Sequence, residues 1–254
     1  MKEHEGMFFL AEAVDRNGTL TAEVIPVAQG KLTLLCGGSA SLRSALLRSL
    51  SGLDSGKPRR ADLKSGALSG RIDPAGFSRA YLPPQGTEIF AGTTVEEELS
   101  FARSDLGGCK AGPQDSLRDY FAALLPRSVW ELSSAERRLL LLASQAGACP
   151  GLWLCDEPLA CLDEAGNGAI LRFLAEVCRS GAVVVAAASD PAPLARLTDI
   201  YVTLGGQSFQ PGVWDRNGKP LGSARMAGAT RDDGLWFTGP GGSFYAEKGG
   251  SGIN

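Results

Sequence analysis

Gly151-Leu152-Trp153-Leu154-Cys155-Asp156-Glu157-Pro158 is a run of apolar residues closed by two adjacent acids. It reads as a buried strand that delivers carboxylates at its C-terminal end, which in a parallel α/β sheet is where ligands bind. Adjacent acids there divide the work: one holds Mg²⁺, directly or through water, and the other orients or deprotonates an attacking water. The same residues also suit a strand followed by an acidic helix N-cap. The flanking segments decide between the two.

Upstream, residues 31–36 (Lys-Leu-Thr-Leu-Leu-Cys) read as a strand and residues 42–50 as a helix with one apolar face. A polar, glycine- and serine-rich stretch over 51–76 predicts short strands and turns, and residues 94–102, 117–125 and 134–145 predict three successive helices. Downstream, a helix over 165–178, a strand over 182–187 and a last strand over 200–204 restore the alternation. The pattern predicts an α/β fold, with a mostly parallel sheet, an antiparallel β-subdomain and an inserted helical subdomain. The implied organisation is one domain over 1–207 (core 1–85 and 149–207, helical insertion 86–148), then a glycine-rich segment over 208–254. Val213 to Lys219 suits a hairpin about Asn217-Gly218, and 235–238 with 243–245 suit a second about Gly-Pro-Gly-Gly. That segment is either a β-extension or a tail.

The bulk numbers narrow the function. With 254 residues the chain can bury a full core. A net charge of −3 gives no reason to expect nucleic acid as a partner. No apolar run approaches the eighteen or so residues of a membrane span, and the acidic N-terminus does not suit a secretory signal. The six cysteines form no C-x-x-C pair and the single histidine is His4, which argues against zinc and for a reduced, cytoplasmic setting.

Four segments fall in a telling order. Gly37-Gly38-Ser39-Ala40-Ser41-Leu42-Arg43-Ser44 joins a strand to a helix, where a phosphate loop belongs. Gln85 follows Tyr81-Leu82-Pro83-Pro84. Leu132-Ser133-Ser134-Ala135-Glu136-Arg137-Arg138 opens the helix that leads to the acidic strand, and Ala160-Cys161-Leu162-Asp163 follows that strand at once. This succession resembles the ATP-binding subunit family of ABC transporters over nearly all of residues 1–205, most specifically from Leu132 through Asp163.

The resemblance implies a P-loop NTPase core that binds ATP and Mg²⁺. It makes Gly37, Gly38, Ser39, Ala40, Ser41, Leu42, Arg43, Ser44 and Ala45 the phosphate loop. Ser44, Gln85 and Asp156 become the Mg²⁺ shell, Glu157 the catalytic base, and Gln85 a contact to the attacking water. Ser133 and Ala135 fall in the signature that closes over the ATP of an opposite subunit, Asp163 is the D-loop aspartate, and Ser189 stands where the family carries a switch histidine. Implied partners are a second cassette and a separate transmembrane subunit, with the chain peripheral on the inner face of the membrane. The segment Gln85-x-x-x-x-Phe90-x-Gly92-Thr93 resembles the one that contacts a transporter's coupling helix; Phe90 also suits an ordinary core position.

Departures from the family pattern point to weak or lost hydrolysis. Leu42 replaces the second glycine of G-x-x-x-x-G-K-[ST], at a cost on the order of 1–2 kcal/mol if the backbone there stays left-handed. Arg43 replaces the lysine, trading a compact ammonium for a planar fork. Ser134 and Ala135 replace the signature glycines, while Ser133-x-x-Glu136 equally forms a helix capping box. Ser189 supplies no cationic or proton-relaying group, and no aromatic residue lies at Ala13 or Val14, where adenine would stack. The competing expectation is a catalytically inactive scaffold or regulatory subunit with the same fold.

Overall fold

A strand that is apolar at every position needs cover on both faces, and the chain supplies it. The structure, a computed structural model, describes residues 7–14, 20–53, 61–64, 69–72, 77–101, 117, 120–204, 212–217, 220–222, 225–230, 234–239 and 242–246. In chain order the elements are β1 (Met7–Val14), β2 (Leu20–Val27), β3 (Leu32–Cys36), α1 (Ala40–Ser51), β4 (Ala61–Lys64), β5 (Ser69–Ile72) and β6 (Arg79–Leu82). Then come α2 (Val95–Phe101), α3 (Ser134–Ala146), β7 (Leu152–Asp156), α4 (Glu164–Arg179), β8 (Val183–Ala187) and β9 (Thr198–Thr203). The C-terminal part adds β10 (Gly212–Asp215), β11 (Pro220–Gly222), β12 (Arg225–Thr230), β13 (Gly234–Gly239) and β14 (Gly242–Ala246).

The central sheet has the order β11-β10-β9-β3-β8-β7-β6. Strands β9, β3, β8, β7 and β6 run parallel, and β10 and β11 continue the sheet antiparallel. Every residue of β3, β7 and β8 is buried. Alternation then sorts them between two cores. Leu152, Leu154, Val183 and Val185 pack under α1 and the β1–β2 pair, against Phe9, Ile25, Leu46, Leu47 and Leu50. Trp153, Cys155, Val184 and Ala186 face the other way, onto Leu139 and Leu142 of α3 and Ile170, Phe173 and Leu174 of α4. This is the predicted α/β architecture.

Register fixes where the site lies. Ala187 of β8 stands opposite Leu35 on one side and Asp156 on the other, so the ends of β3 and β7 reach the same level two strand spacings apart. Past that line the Glu157 amide donates to Ala187 O at 2.9 Å and the Ala188 amide to Leu35 O at 3.1 Å.

Local details depart from the sequence reading. Residues 117, 120 and 121 are helical, but 122–126 are turns, earlier than the expected helix end at 125; Pro126 disfavours helical backbone at Leu125. Beyond β9, β12–β14 form an antiparallel set that joins β4 and β5 through Leu63↔Ala246 and Lys64↔Tyr245. Cys149 is disulfide-bonded, against the expectation of a reduced setting, whereas Cys36, Cys155, Cys161 and Cys178 are free. No helix among the described residues is long and apolar enough to cross a membrane.

Candidate functional site

The turn after β3 carries two glycines in the left-handed region, Gly37 (φ +74°) and Gly38 (φ +60°). Only glycine takes that backbone freely, and a Cβ on Gly38 would also sit 3.2 Å from Leu204 Cβ. Helix α1 then begins at once. Ser39 is its N-cap and accepts from the Leu42 amide through Oγ at 3.1 Å, while the Leu42 and Arg43 amides also bond Ser39 O, each at 3.1 Å. Residues 40–43, expected as part of an open phosphate loop, are therefore the first turn of the helix. Leu42 adopts helical backbone without strain, and its side chain and that of Ala45 pack partly into the core. Ser41 meets Ser39, Oγ to Oγ, at 3.0 Å.

Arg43 points back under this turn and is 3% exposed. Its Nη1 donates to Gly37 O at 2.8 Å and to Gly38 O at 3.3 Å. Its Nη2 donates to Glu157 Oε1 at 2.7 Å and to Ser189 Oγ. Ser189 in turn donates its hydroxyl to Glu157 Oε1 at 2.6 Å and its amide to Glu157 Oε2 at 3.0 Å. Burial alone would raise the Glu157 pKa, but the Ser189 bonds and the Arg43 guanidinium outweigh it and hold the carboxyl below its ordinary value. Glu157 itself sits at φ +48°, a left-handed conformation costing on the order of 1 kcal/mol for a non-glycine residue. A carboxylate so fully engaged is a poor proton acceptor.

Asp156 is the opposite case. It is 1% exposed, and neither carboxylate oxygen has a hydrogen-bond partner. Burial raises its pKa; the Ser44 hydroxyl lies near enough to oppose that shift, although its geometry falls short of a hydrogen bond. Two orphaned carboxylate oxygens beside a serine hydroxyl fit a hard divalent cation such as Mg²⁺. A triphosphate does not fit equally well: the Leu42 and Arg43 amides are spent on capping, and the guanidinium fills the space between turn and acids.

The other expected residues are more dispersed. Gln85 is half-buried in the loop after β6 and, among the described residues, makes no hydrogen bond to either acid. Ser133 caps α3 with a complete capping box: its Oγ accepts from the Glu136 amide at 3.2 Å, and its own amide donates to Glu136 Oε2 at 2.7 Å. Glu136 thus places a negative charge at the helix end where the signature of the resembled family meets phosphate. Ala135 packs against Gly166, where an added Cβ would approach its own to 2.7 Å. Asp163 is the N-cap of α4, accepting from the Gly166 amide at 2.8 Å. Ala13 and Val14 end β1, and their side chains lie outside the described residues.

One residue escaped the sequence reading. Arg138 of α3 is 0% exposed, and its guanidinium donates to Pro158 O (3.3 Å), Pro83 O (3.2 Å), Asp156 O (3.1 Å), Glu157 O (2.9 Å) and Glu88 Oε1 (3.3 Å). It ties the acidic turn to the loop after β6. The available signal was its helical phase, since Arg138, Leu142 and Ala146 share one face, and an arginine in an apolar stripe needs buried acceptors.

No family model matches the chain. The cytochrome c biogenesis ATP-binding export protein CcmA of Nitrobacter winogradskyi is 35% identical over 105 residues, covering 40% of this chain and 52% of that one. The molybdenum import ATP-binding protein ModC of Rhizobium etli is 28% identical over 208 residues, covering 78% of this chain and 58% of that one. The chain thus spans little more than half the length of these curated relatives. Among solved structures, an ATP-binding subunit of an ABC transporter superposes with a TM-score of 0.61 at 19% identity, covering 78% of this chain and 85% of that one. CbiO1 of Clostridium perfringens, part of the CbiONQ transporter complex, gives 0.56 at 17%, covering 79% and 85%. At such identities the structures speak for the fold alone: the chain has the fold of ABC transporter ATP-binding subunits, and the relatives it resembles in sequence are ATP-binding proteins of export and import systems.

Proposed function

We propose that this chain is the nucleotide-binding-type subunit of an ABC transporter complex, coupling ATP binding to transport with slow or partner-dependent hydrolysis. It works with a transmembrane subunit and a second cassette, on the inner face of the membrane. The observation that carries this reading is the convergence of the turn after β3 with the acids after β7: Arg43 of one meets Glu157 of the other at 2.7 Å. Asp156 and Ser44 are the residues that would hold Mg²⁺, whose bound role is to neutralise phosphate charge.

Docking of a partner is supported by a groove of about 560 Å³ between the core and the helical region, lined by Arg48, Arg79, Pro84, Thr87, Ile89 and Gln145 among others. Leu53 and Ile89 are 67% and 85% exposed. Apolar side chains beside arginines suit an amphipathic segment of a membrane protein. The second reading, an inactive scaffold that pairs with an active cassette, is favoured by the engaged state of Glu157 and by the charge of Glu136.

The test is Leu42→Gly, Arg43→Lys and Ser189→His combined, assayed for ATP hydrolysis beside the parent. A gain of at least about tenfold is expected, since single transition-state groups contribute roughly 10²–10³. A variant that folds and binds ATP yet stays as slow as the parent supports the scaffold. Failure of the intact chain to co-purify with a membrane protein and a second cassette overturns both.

A further inference from the structure

We propose that Arg43 is an internal occupant of the phosphate site, and that a phosphate-bearing ligand enters by drawing its guanidinium away from Glu157. This rests on the functional reading above and concerns the regulation of the same site. Arg43 is then either the counter-ion of Glu157 or the counter-ion of the ligand, and Ser189 biases that choice.

Three observations support the exchange. First, the turn presents two carbonyls to the guanidinium: Gly37 O and Gly38 O both accept from Nη1. Carbonyls suit a cation and repel phosphate. Second, Nη2 bonds Glu157 and Ser189, so one guanidinium bridges two sets of acceptors on opposite sides of the site. The single nitrogen of a lysine lacks that reach, which gives the arginine a role beyond its charge. Third, Ser189 is bonded to both members of the pair, donating to Glu157 Oε1 and accepting from Arg43 Nη2. Meanwhile Arg43 Nε stays buried without a partner. The pair is therefore held at its distal end, and the serine sits at the point where it would open.

Binding of inorganic tripolyphosphate, measured by calorimetry without divalent cations, tests this on the full chain. Ser189→Ala changes no charge and weakens the pair, so it binds the anion about three- to tenfold more tightly than the parent, the net worth of one ordinary hydrogen bond. Glu157→Gln removes the opposing charge and leaves the guanidinium only a neutral acceptor, so it gains about ten- to a hundredfold. Adding Arg43→Ala to either variant removes the gain, because the freed arginine is the group that takes the phosphate. Equal or weaker binding by Ser189→Ala overturns the proposal. So does a Glu157→Gln gain that persists in the double variant, since loss of a negative charge then explains it. Either outcome leaves co-purification with a membrane partner unaffected, which separates failure of this exchange from failure of the transporter reading.

Discussion

Arg138→Leu is the most informative single perturbation of the fold around the site. The substitution fills the same stretch of helix face and removes a guanidinium that is 0% exposed. It strands the carbonyls of Pro83, Asp156, Glu157 and Pro158, and leaves the Glu88 carboxylate, 7% exposed, without its ion pair at 3.3 Å. Breaking a buried pair by removing one partner costs roughly 3–5 kcal/mol, and each stranded carbonyl adds up to about 1–3 kcal/mol before relaxation. Release of the arginine from burial, which lowers its own pKa, offsets part of this. A net loss of about 3–5 kcal/mol remains, or a fall of roughly 1–1.7 M in the urea midpoint at a slope near 3 kcal/mol/M. Far-UV circular dichroism and tryptophan fluorescence both report it, since Trp153 is buried against Phe173 at a ring separation of 5.2 Å. Glu88→Gln keeps an acceptor for Arg138 and loses much less. A midpoint for Arg138→Leu within about 0.2 M of the parent would show that the clamp contributes nothing net, and the argument from stranded acceptors would be wrong.

The fold was legible because its determinants are local and periodic. Strands β3, β7 and β8 declare themselves as apolar runs, and α3 and α4 as amphipathic helices begun by Ser133 and Asp163, both natural N-caps. The candidate site was legible as a set of positions but not as a state. Reading Leu42 as a strained replacement assumes that the turn keeps its glycine geometry; in the structure the helix begins at Ala40, and the leucine is helical and partly packed. Reading Arg43 as a misfitting cation leaves out its acceptors, because Ser189 and Glu157 lie 146 and 114 residues away in sequence. Substitutions that look like separate losses are mutually consistent in space. The longer helix accommodates Leu42, the carbonyls of the turn suit Arg43, Ser189 completes its ligands, and Glu136 closes the cap that Ser133 opens. Such agreement belongs to the set of contacts in space, and no single motif displays it.

Two further predictions address the paired acids in opposite directions. Asp156→Asn removes an ionised carboxylate whose two buried oxygens lack partners, so it raises stability by about 1–2 kcal/mol, or roughly 2–8 °C in Tm for a chain of this size. It also abolishes any stabilisation of the parent by millimolar Mg²⁺, and a lowered Tm contradicts the reading of Asp156 as an unsatisfied site. Glu157→Gln destabilises, and the pH dependence gives its signature. The folded pKa of Glu157 lies below its ordinary value of 4.5, so the ionised carboxylate adds stability that is complete above the unfolded pKa and is lost as pH falls through the lower folded one. Glutamine cannot titrate. The gap in thermal midpoint between parent and variant is therefore constant from about pH 6 to 8 and narrows steadily below about pH 4.5. Midpoints taken by calorimetry across that range decide the matter. A gap that widens in acid would mean that Glu157 takes up its proton more readily in the folded chain, and that the bonds from Arg43 and Ser189 do not favour its charged form.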